Sequence, residues 1–203
     1  GIGVIATALC VILGALRHNV WGIVTGAIYG VTMILLYTFS SIYHGLHTGT
    51  AKKVFQIIDH CTIYLLIAGT YTPILLSAMR PIDPAASWIL FGIVWALAAL
   101  AIVFTAIDMR KYSVFSMICY IAMGWCVVIA LKPTIASVPA AALLWILAGG
   151  IVYTVGAVLY GLGKKHRYMH SIFHFFVLAG SVLLLVVTVV IVFLPKKKGH
   201  YEA

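Results

Sequence analysis

The sequence predicts an all-α membrane protein, built as a single seven-transmembrane helix bundle over residues 1–203. Three observations predict this fold class. The chain is 64% hydrophobic, only 8% of its residues are charged, and long apolar runs alternate with short basic clusters. A soluble domain carries roughly 25% charged residues, because water must solvate its surface. Thirteen Lys and Arg with four Asp and Glu cannot cover such a surface, so lipid must be the main solvent.

Seven apolar runs follow one another along the chain. Most reach the roughly 20 residues that an α-helix needs to cross a hydrocarbon core of about 30 Å. Strands are excluded, because those of a membrane barrel are about ten residues long and alternate in polarity. Helices also satisfy their own backbone hydrogen bonds in lipid. The predicted spans cover about 1–16, 19–43, 54–79, 85–107, 113–131, 134–162 and 170–194.

The second and third runs contain residues that predict local packing. Gly22, Gly26 and Gly30 repeat every four residues, a spacing that permits close contact with a neighbouring helix. Pro73 predicts a kink or an end in the third run, because proline lacks the backbone N–H that a helix interior requires.

The basic residues predict the orientation. With seven spans, loops on the N-terminal side contain seven Lys and Arg, and loops on the opposite side contain three. The positive-inside tendency therefore predicts a cytoplasmic N-terminus. Three lysines at 196–198 fall on the opposite side and reduce this difference. The basic residues form short clusters at span ends and no continuous stripe, so we expect no nucleic-acid partner.

Ionisable side chains inside spans are costly, so each of them predicts a partner or a function. Asp59 is the only acidic residue within an apolar run. It lies near the start of span three, His44 lies at the end of span two, and His170 and His174 lie at the start of span seven. The exit of an even span and the entrances of two odd spans lie on one side of the membrane. The order of the spans alone therefore predicts that these four side chains converge.

The spacing of these residues indicates a metal site. His170 and His174 are four residues apart, so both imidazoles project from one helix face. Such a pair can bind one metal ion, although the segment lacks the acidic residue of the HExxH arrangement. Three imidazoles with an open fourth position, completed here by His44, form a known catalytic zinc set. Asp59 could then hydrogen-bond a water on the metal or a ligand imidazole, and Ser40 lies one turn from His44.

One other interpretation of the histidine pair stays open, and the neighbouring His60 needs a prediction of its own. The histidine pair alone is also explained by side chains that reach toward the membrane–water interface. His60 is expected to point about 100° away from Asp59 on the helix, given about 3.6 residues per turn. We therefore predict that His60 is a packing or interface residue.

Three segments together resemble the signatures of the hemolysin III family, the bacterial branch of the progestin and adipoQ receptor group that includes the adiponectin receptors. They occur in the expected order, and the resemblance covers essentially the whole chain. The segments are Ser40-x3-His44, Asp59-His60 running into Tyr64-Leu65-Leu66-Ile67-Ala68-Gly69-Thr70-Tyr71-Thr72-Pro73, and His170-Ser171-Ile172-Phe173-His174.

This resemblance implies a seven-helix bundle in a bacterial inner membrane, with a cytoplasmic N-terminus and a metal site toward the cytoplasm. It also implies a zinc ion held by His44, His170 and His174, with a water associated with Asp59 and with Ser40 nearby. The wider superfamily includes alkaline ceramidases, which hydrolyse the amide bond of ceramide. The long N-terminal region of the animal receptors is absent from this sequence, so hormone binding is not implied.

These observations lead to one functional hypothesis and two alternatives. The hypothesis is a zinc-dependent hydrolase of a membrane-lipid amide or ester in membrane-lipid homeostasis, with Asp59 and Ser40 as the catalytic residues. The first alternative is a non-catalytic sensor or regulator of membrane state in which zinc is structural. The second is a pore-forming hemolysin, which the sequence disfavours because a released pore-former needs a soluble state. The expected partner is a membrane lipid, and the sequence leaves the oligomeric state open.

Overall fold

The computed structural model describes residues 1–109, 111–162 and 169–193, and all regular secondary structure in these ranges is helical. A π-helical turn, Ile74–Met79, follows α3, and a 3₁₀ segment, Cys126–Ala130, precedes α6. The α-helices are α1 (Ile2–Leu16), α2 (Val20–Gly45), α3 (Thr50–Pro73), α4 (Pro84–Ile107), α5 (Ser113–Gly124), α6 (Leu131–Ser137), α7 (Ala140–Leu162) and α8 (Met169–Phe193).

The all-α membrane fold class is confirmed. By length and composition, six helical segments in the described part of the chain can cross a membrane. The apolar stretch Gly3–Leu16 in α1 is shorter than the others, so the count of seven spans stays a prediction. The six segments are Val20–Gly45, Thr50–Met79, Pro84–Ile107, Val114–Ser137, Ala140–Leu159 and Ile172–Val192.

The outward surface is apolar, as a lipid solvent requires. Ile129, Leu144 and Phe175 are at least 70% exposed, although each is a large hydrophobic side chain. A soluble monomer rarely exposes wide apolar patches of this kind. Lipid contact explains them without a partner protein.

The fifth and sixth runs meet at a different place from the one predicted. The predicted boundary lay at residues 132–133, whereas α6 continues to Ser137 and α7 begins at Ala140. Pro133 occupies the first turn of α6, where its missing N–H removes no helical hydrogen bond. The predicted spans leave Lys132 in the connection between them, whereas in the structure it lies within the helical segment Val114–Ser137. At Pro73 the α-helical pattern of α3 changes to the π-helical turn Ile74–Met79, and the helical segment continues to Met79.

Helices α1 to α4 each pack against the next helix in sequence, and α8 closes the bundle by contacting both α7 and α1. The glycine ladder of α2 permits the predicted close approach, since Gly26 lies against Cys10 and Gly30 lies against Thr7 of α1. A side chain at Gly30 would collide with the α1 backbone. Small residues therefore set the distance between α1 and α2.

Helix α3 lies at the centre and is the most deeply buried of the six long helices. One side of it packs with α4 and α5 in a core that includes Tyr64 and Val94. The other side packs with α2 and α8 in a core that includes Leu66 and Met33. A polar residue near the start of α3 is thereby surrounded by other helices and shielded from lipid.

Candidate metal centre

The candidate metal centre lies where α2 ends and where α3 and α8 begin. His44 occupies the last turn of α2, which ends at Gly45. Only residues 46–49 connect α2 to α3, so these two helices run antiparallel and bring Asp59 beside Ser40. Helix α8 packs against both of them and carries His174 to the same place. The predicted convergence of spans two, three and seven is confirmed for these residues.

The two histidines meet at their ring nitrogens. His44 Nε2 and His174 Nε2 are 3.0 Å apart, and the two rings are perpendicular, with their centroids separated by 4.9 Å. In the absence of a cation, such a contact requires one nitrogen to donate a proton and the other to accept it. With a cation between them, both nitrogens can present lone pairs to it. The arrangement is therefore suited to a shared metal ion.

Asp59 completes a cluster of three ligand groups. One carboxylate oxygen and one ring nitrogen each from His44 and His174 all lie within 4.8 Å of one another. That spacing is close enough for the three side chains to share a small cation or a water molecule. His44 is exposed, His174 is half-buried and Asp59 is buried, so the site opens toward one end of the bundle.

The Asp59 carboxylate lacks full hydrogen bonding in the described part of the protein. The residue is only 2% exposed, and its Oδ1 atom is buried without a hydrogen-bond partner. The Ser40 hydroxyl lies beside this carboxylate, and His44 is close enough to interact with its charge. A buried, incompletely bonded carboxylate is costly. A metal ion, or a water held against one, would relieve that cost, so the donor set fits a metal.

His170 lies in the first turn of α8, one turn before His174. Its side chain lies outside the described residues, so its place in the ligand set stays a prediction. The other predicted site residues, Ser40, His44, Asp59 and His174, lie together.

His60 lies closer to the centre than the helix-rotation argument predicted. Its side chain is 8% exposed, and it is near enough to His44 and His174 to affect their charge. Its Nδ1 donates a hydrogen bond to the Gln56 carbonyl oxygen at 2.8 Å, an assignment that leaves Nε2 as an acceptor. Its burial agrees with the predicted packing position, whereas its proximity to the two histidines was not predicted.

An apolar cavity with a volume of about 80 Å³ lies next to the candidate metal centre, between α3, α5, α7 and α8. Ile63, one helical turn from Asp59, lines it, as does Phe173, the neighbour of His174. Few of its lining side chains are polar, among them Thr70, Tyr71, Tyr120, Tyr153 and Thr154. Its apolar lining suits contact with a hydrocarbon group.

Comparison with known proteins agrees with the resemblance noted in the sequence. The family model described as "Haemolysin-III related" matches residues 1–185. Hemolysin-3 of Bacillus cereus is 41% identical over 189 residues, covering 91% of this chain and 84% of that protein. The Hemolysin-3 homolog of Bacillus subtilis (strain 168) is 40% identical over 188 residues, covering 91% and 86%.

A human protein is also similar. Monocyte to macrophage differentiation factor of Homo sapiens is 27% identical over 180 residues, covering 85% of this chain and 72% of that protein. The similarity therefore extends beyond the bacterial relatives, as expected for the progestin and adipoQ receptor group. This chain belongs to the hemolysin III family.

Proposed function

We propose that this protein is a zinc-dependent intramembrane hydrolase that cleaves an amide or ester bond of a membrane lipid and so contributes to membrane-lipid homeostasis. The observation that carries this proposal is the position of the apolar cavity. It begins about one helical turn from Asp59 and beside His174. In this proposal the candidate metal site would perform hydrolysis beside a cavity that would contact the acyl chain.

The ligand types and their spacing support zinc as the metal. Imidazole nitrogens with a carboxylate nearby are common zinc ligands. Two nitrogens bound to one tetrahedral zinc ion lie about 3.3 Å apart, given bonds of about 2.0–2.1 Å. The observed separation of His44 and His174 Nε2 is 3.0 Å, so a small side-chain movement suffices. His170 would supply the third imidazole from the same helix as His174.

The residues of this chain would share the chemistry as follows. When bound, zinc would polarise the scissile carbonyl group and make water a stronger acid. Asp59 would accept a proton from the attacking water and return it to the leaving nitrogen or oxygen as the carbon–heteroatom bond breaks. The Ser40 hydroxyl would donate a hydrogen bond to the oxyanion that develops on the carbonyl oxygen. The products are a fatty acid and an amine or alcohol.

The cavity supports a lipid substrate that enters sideways from the membrane. Its walls come from α3, α5, α7 and α8 and are mainly apolar. An acyl chain that moves sideways from the lipid into this cavity stays in apolar surroundings, whereas a path through water would expose apolar surface at a cost in free energy. The cavity would position the acyl carbonyl near the metal centre and keep water away from the acyl chain.

We also propose that α1 is a seventh span, which gives a cytoplasmic N-terminus and a metal centre facing the cytoplasm of a bacterial inner membrane. Helix α1 packs against α2 and α8, as expected for a member of the bundle. Its 15 residues measure about 22 Å along the helix axis. The charge distribution of the loops supports the orientation.

The direct test is fatty-acid release by the purified, zinc-loaded protein in liposomes of defined amide and ester lipids. We expect release by the parent protein and loss of release in His174→Ala, because one metal ligand is removed. His47→Ala is the matched control, since His47 is an exposed histidine at the same end of the bundle and outside the metal cluster. Equal, background-level release by all three proteins would refute the hydrolase proposal.

One observation favours a second candidate, a non-catalytic sensor in which the metal is structural. The ligand groups come from the consecutive helices α2 and α3 and from α8, which lies far from both in the chain, so a metal would join α8 to the other two helix ends. This role predicts that metal removal lowers thermal stability while no product forms under any lipid condition. Dye release from intact liposomes at low protein density would instead favour the pore-forming activity that the name hemolysin suggests.

A further inference from the structure

A second cavity lies at the end of the bundle opposite the metal centre. It is open, has a volume of about 540 Å³, and is bordered by the α1–α2 connection, the end of the π-helical turn, the α6–α7 connection and the end of α8. The side chains that line it include those of Asn19, Trp21, Ser77, Arg80 and Ser137. This cavity plays no part in the proposed hydrolysis.

Arg80 is held in place at the rim of this cavity. Its Nε donates a hydrogen bond to the Leu76 carbonyl oxygen at 3.1 Å, and its guanidinium carbon lies 3.9 Å from the centre of the Trp21 ring. Both contacts fix the plane of the guanidinium group and leave its two terminal nitrogens without an acceptor among the described residues. An oriented guanidinium group of this kind favours bidentate binding of a phosphate or carboxylate.

Asn19 adds a second unused donor. Its Oδ1 accepts a hydrogen bond from the Gly22 N–H at 3.0 Å and so caps the start of α2. Its Nδ2 amide group has no acceptor in the described part of the chain. The hydroxyl groups at the cavity are already engaged, since Ser77 pairs with Thr25 at 2.8 Å and Ser137 donates to the Thr134 carbonyl oxygen at 3.0 Å.

Among the residues that the structure describes, no acidic group of the cavity lining neutralises Arg80. Asp83 is the one carboxylate at this end among the described residues, and it accepts a hydrogen bond from the Ala86 N–H at 2.9 Å as the cap of α4. It forms no ion pair with Arg80 in the described structure. Donors therefore outnumber acceptors at the rim, and the missing counterion is an anion.

The surroundings indicate that the anion belongs to a lipid. The Trp21 and Trp88 rings pack edge to face with their centroids 6.2 Å apart, and Trp88 is 47% exposed. Tryptophan is enriched where the bilayer meets water, at the depth of the lipid headgroups. The inner wall of the cavity is apolar, with Ile135, Val138 and Ile191 among its residues. A phosphate would bind the donors at the rim, and the attached glycerol and acyl groups would pack against the apolar wall.

We propose that this cavity binds the headgroup of an anionic phospholipid, with Arg80 and Asn19 donating hydrogen bonds to its phosphate. The site is independent of the metal centre and of the proposed hydrolysis. It would hold a lipid at the membrane face opposite the metal, where Asp83, the described carboxylate at this end, caps α4 and does not compete with the phosphate for Arg80.

The test is a titration of the purified protein in neutral detergent with dioctanoyl phosphatidylglycerol. Arg80→Gln is expected to weaken binding by about tenfold or more, because a charge-assisted bidentate contact is removed. Asn19→Asp keeps the helix cap, since Asp caps a helix about as well as Asn, but turns a donor into a carboxylate facing the phosphate. It is expected to weaken binding to at least the same extent. This second variant keeps the test valid if Arg80→Gln folds poorly.

Arg17→Gln is the matched control, because Arg17 is an exposed arginine at the same membrane face that does not line the cavity. It is expected to change binding by less than about twofold, since exposed charges act weakly through salt solution. An equal loss in Arg17→Gln and Arg80→Gln would overturn the proposal in favour of general attraction. If dioctanoylglycerol, which has no phosphate, binds as tightly, the phosphate headgroup is not recognised and the proposal is overturned. If inorganic phosphate at millimolar concentration displaces the lipid, the site binds a free anion and not a lipid.

Discussion

Replacing Asp59 with asparagine is expected to lower lipid hydrolysis by about 10²- to 10⁴-fold, the usual contribution of a positioned general base. Asparagine has the same shape as aspartate but cannot accept the proton of the attacking water. The metal should stay bound, because the imidazoles of His44 and His174 are unchanged. The measurement is the initial rate of fatty-acid release from liposomes, with zinc content determined on the same sample.

Asp83→Asn is the control for this experiment. Asp83 caps α4 at the opposite end of the bundle, and asparagine preserves a cap, so the variant should hydrolyse lipid at the parent rate. Full activity of Asp59→Asn would contradict the assigned role of the carboxylate. Loss of the metal together with the activity would instead identify Asp59 as a direct ligand.

Filling the apolar cavity is expected to have the second largest effect. Gly150 lines the cavity, and a side chain built at this position meets no atom within 4 Å. Phenylalanine should therefore enter the cavity without distorting α7 and occupy the space of an acyl chain. We expect Gly150→Phe to lower hydrolysis of long-chain lipids by about tenfold or more, which corresponds to at least about 1.4 kcal/mol of lost binding.

Comparing substrates of different acyl-chain length distinguishes a blocked cavity from general damage to the protein in Gly150→Phe. Short-chain analogues leave the deep part of the cavity empty, so Gly150→Phe should cleave them at close to the parent rate. Gly92→Phe serves as the control, because Gly92 also has open space around it but lies exposed on α4, outside the cavity. An equal loss for long and short substrates, or equal rates for Gly150→Phe and the parent on long-chain lipids, would contradict acyl binding in this cavity.

The fold class could be predicted from composition because lipid imposes simple rules on length and polarity. The predicted ends of the second and fourth runs lie within about two residues of the ends of α2 and α4, which is the usual uncertainty of helix ends. The same reasoning misplaced the boundary at Lys132 and Pro133. A charge next to a proline resembles a loop, yet a proline in the first turn of a new helix costs little, and the 3₁₀ segment before α6 was not visible in the pattern.

The candidate site could be predicted in part for the same reason. Span order alone brought His44, Asp59 and His174 to one end of the bundle, and the structure agrees. The 3.0 Å contact between two imidazoles and the proximity of His60 depend on helix rotation and side-chain packing. Hydrophobic periodicity does not determine these at the level of single atoms. The cavity likewise arises from four helices whose contacts no local pattern encodes.

The central claim is that His44 at the end of α2 and His174 at the start of α8 jointly hold one metal ion beside Asp59 of α3, and elemental analysis of the purified protein tests it most directly. We predict stoichiometric zinc in the metal-replete parent protein and in His47→Ala, with zinc lost from both His44→Ala and His174→Ala. A replete parent protein without bound metal, or undiminished zinc in the His44→Ala and His174→Ala variants, would contradict the claim.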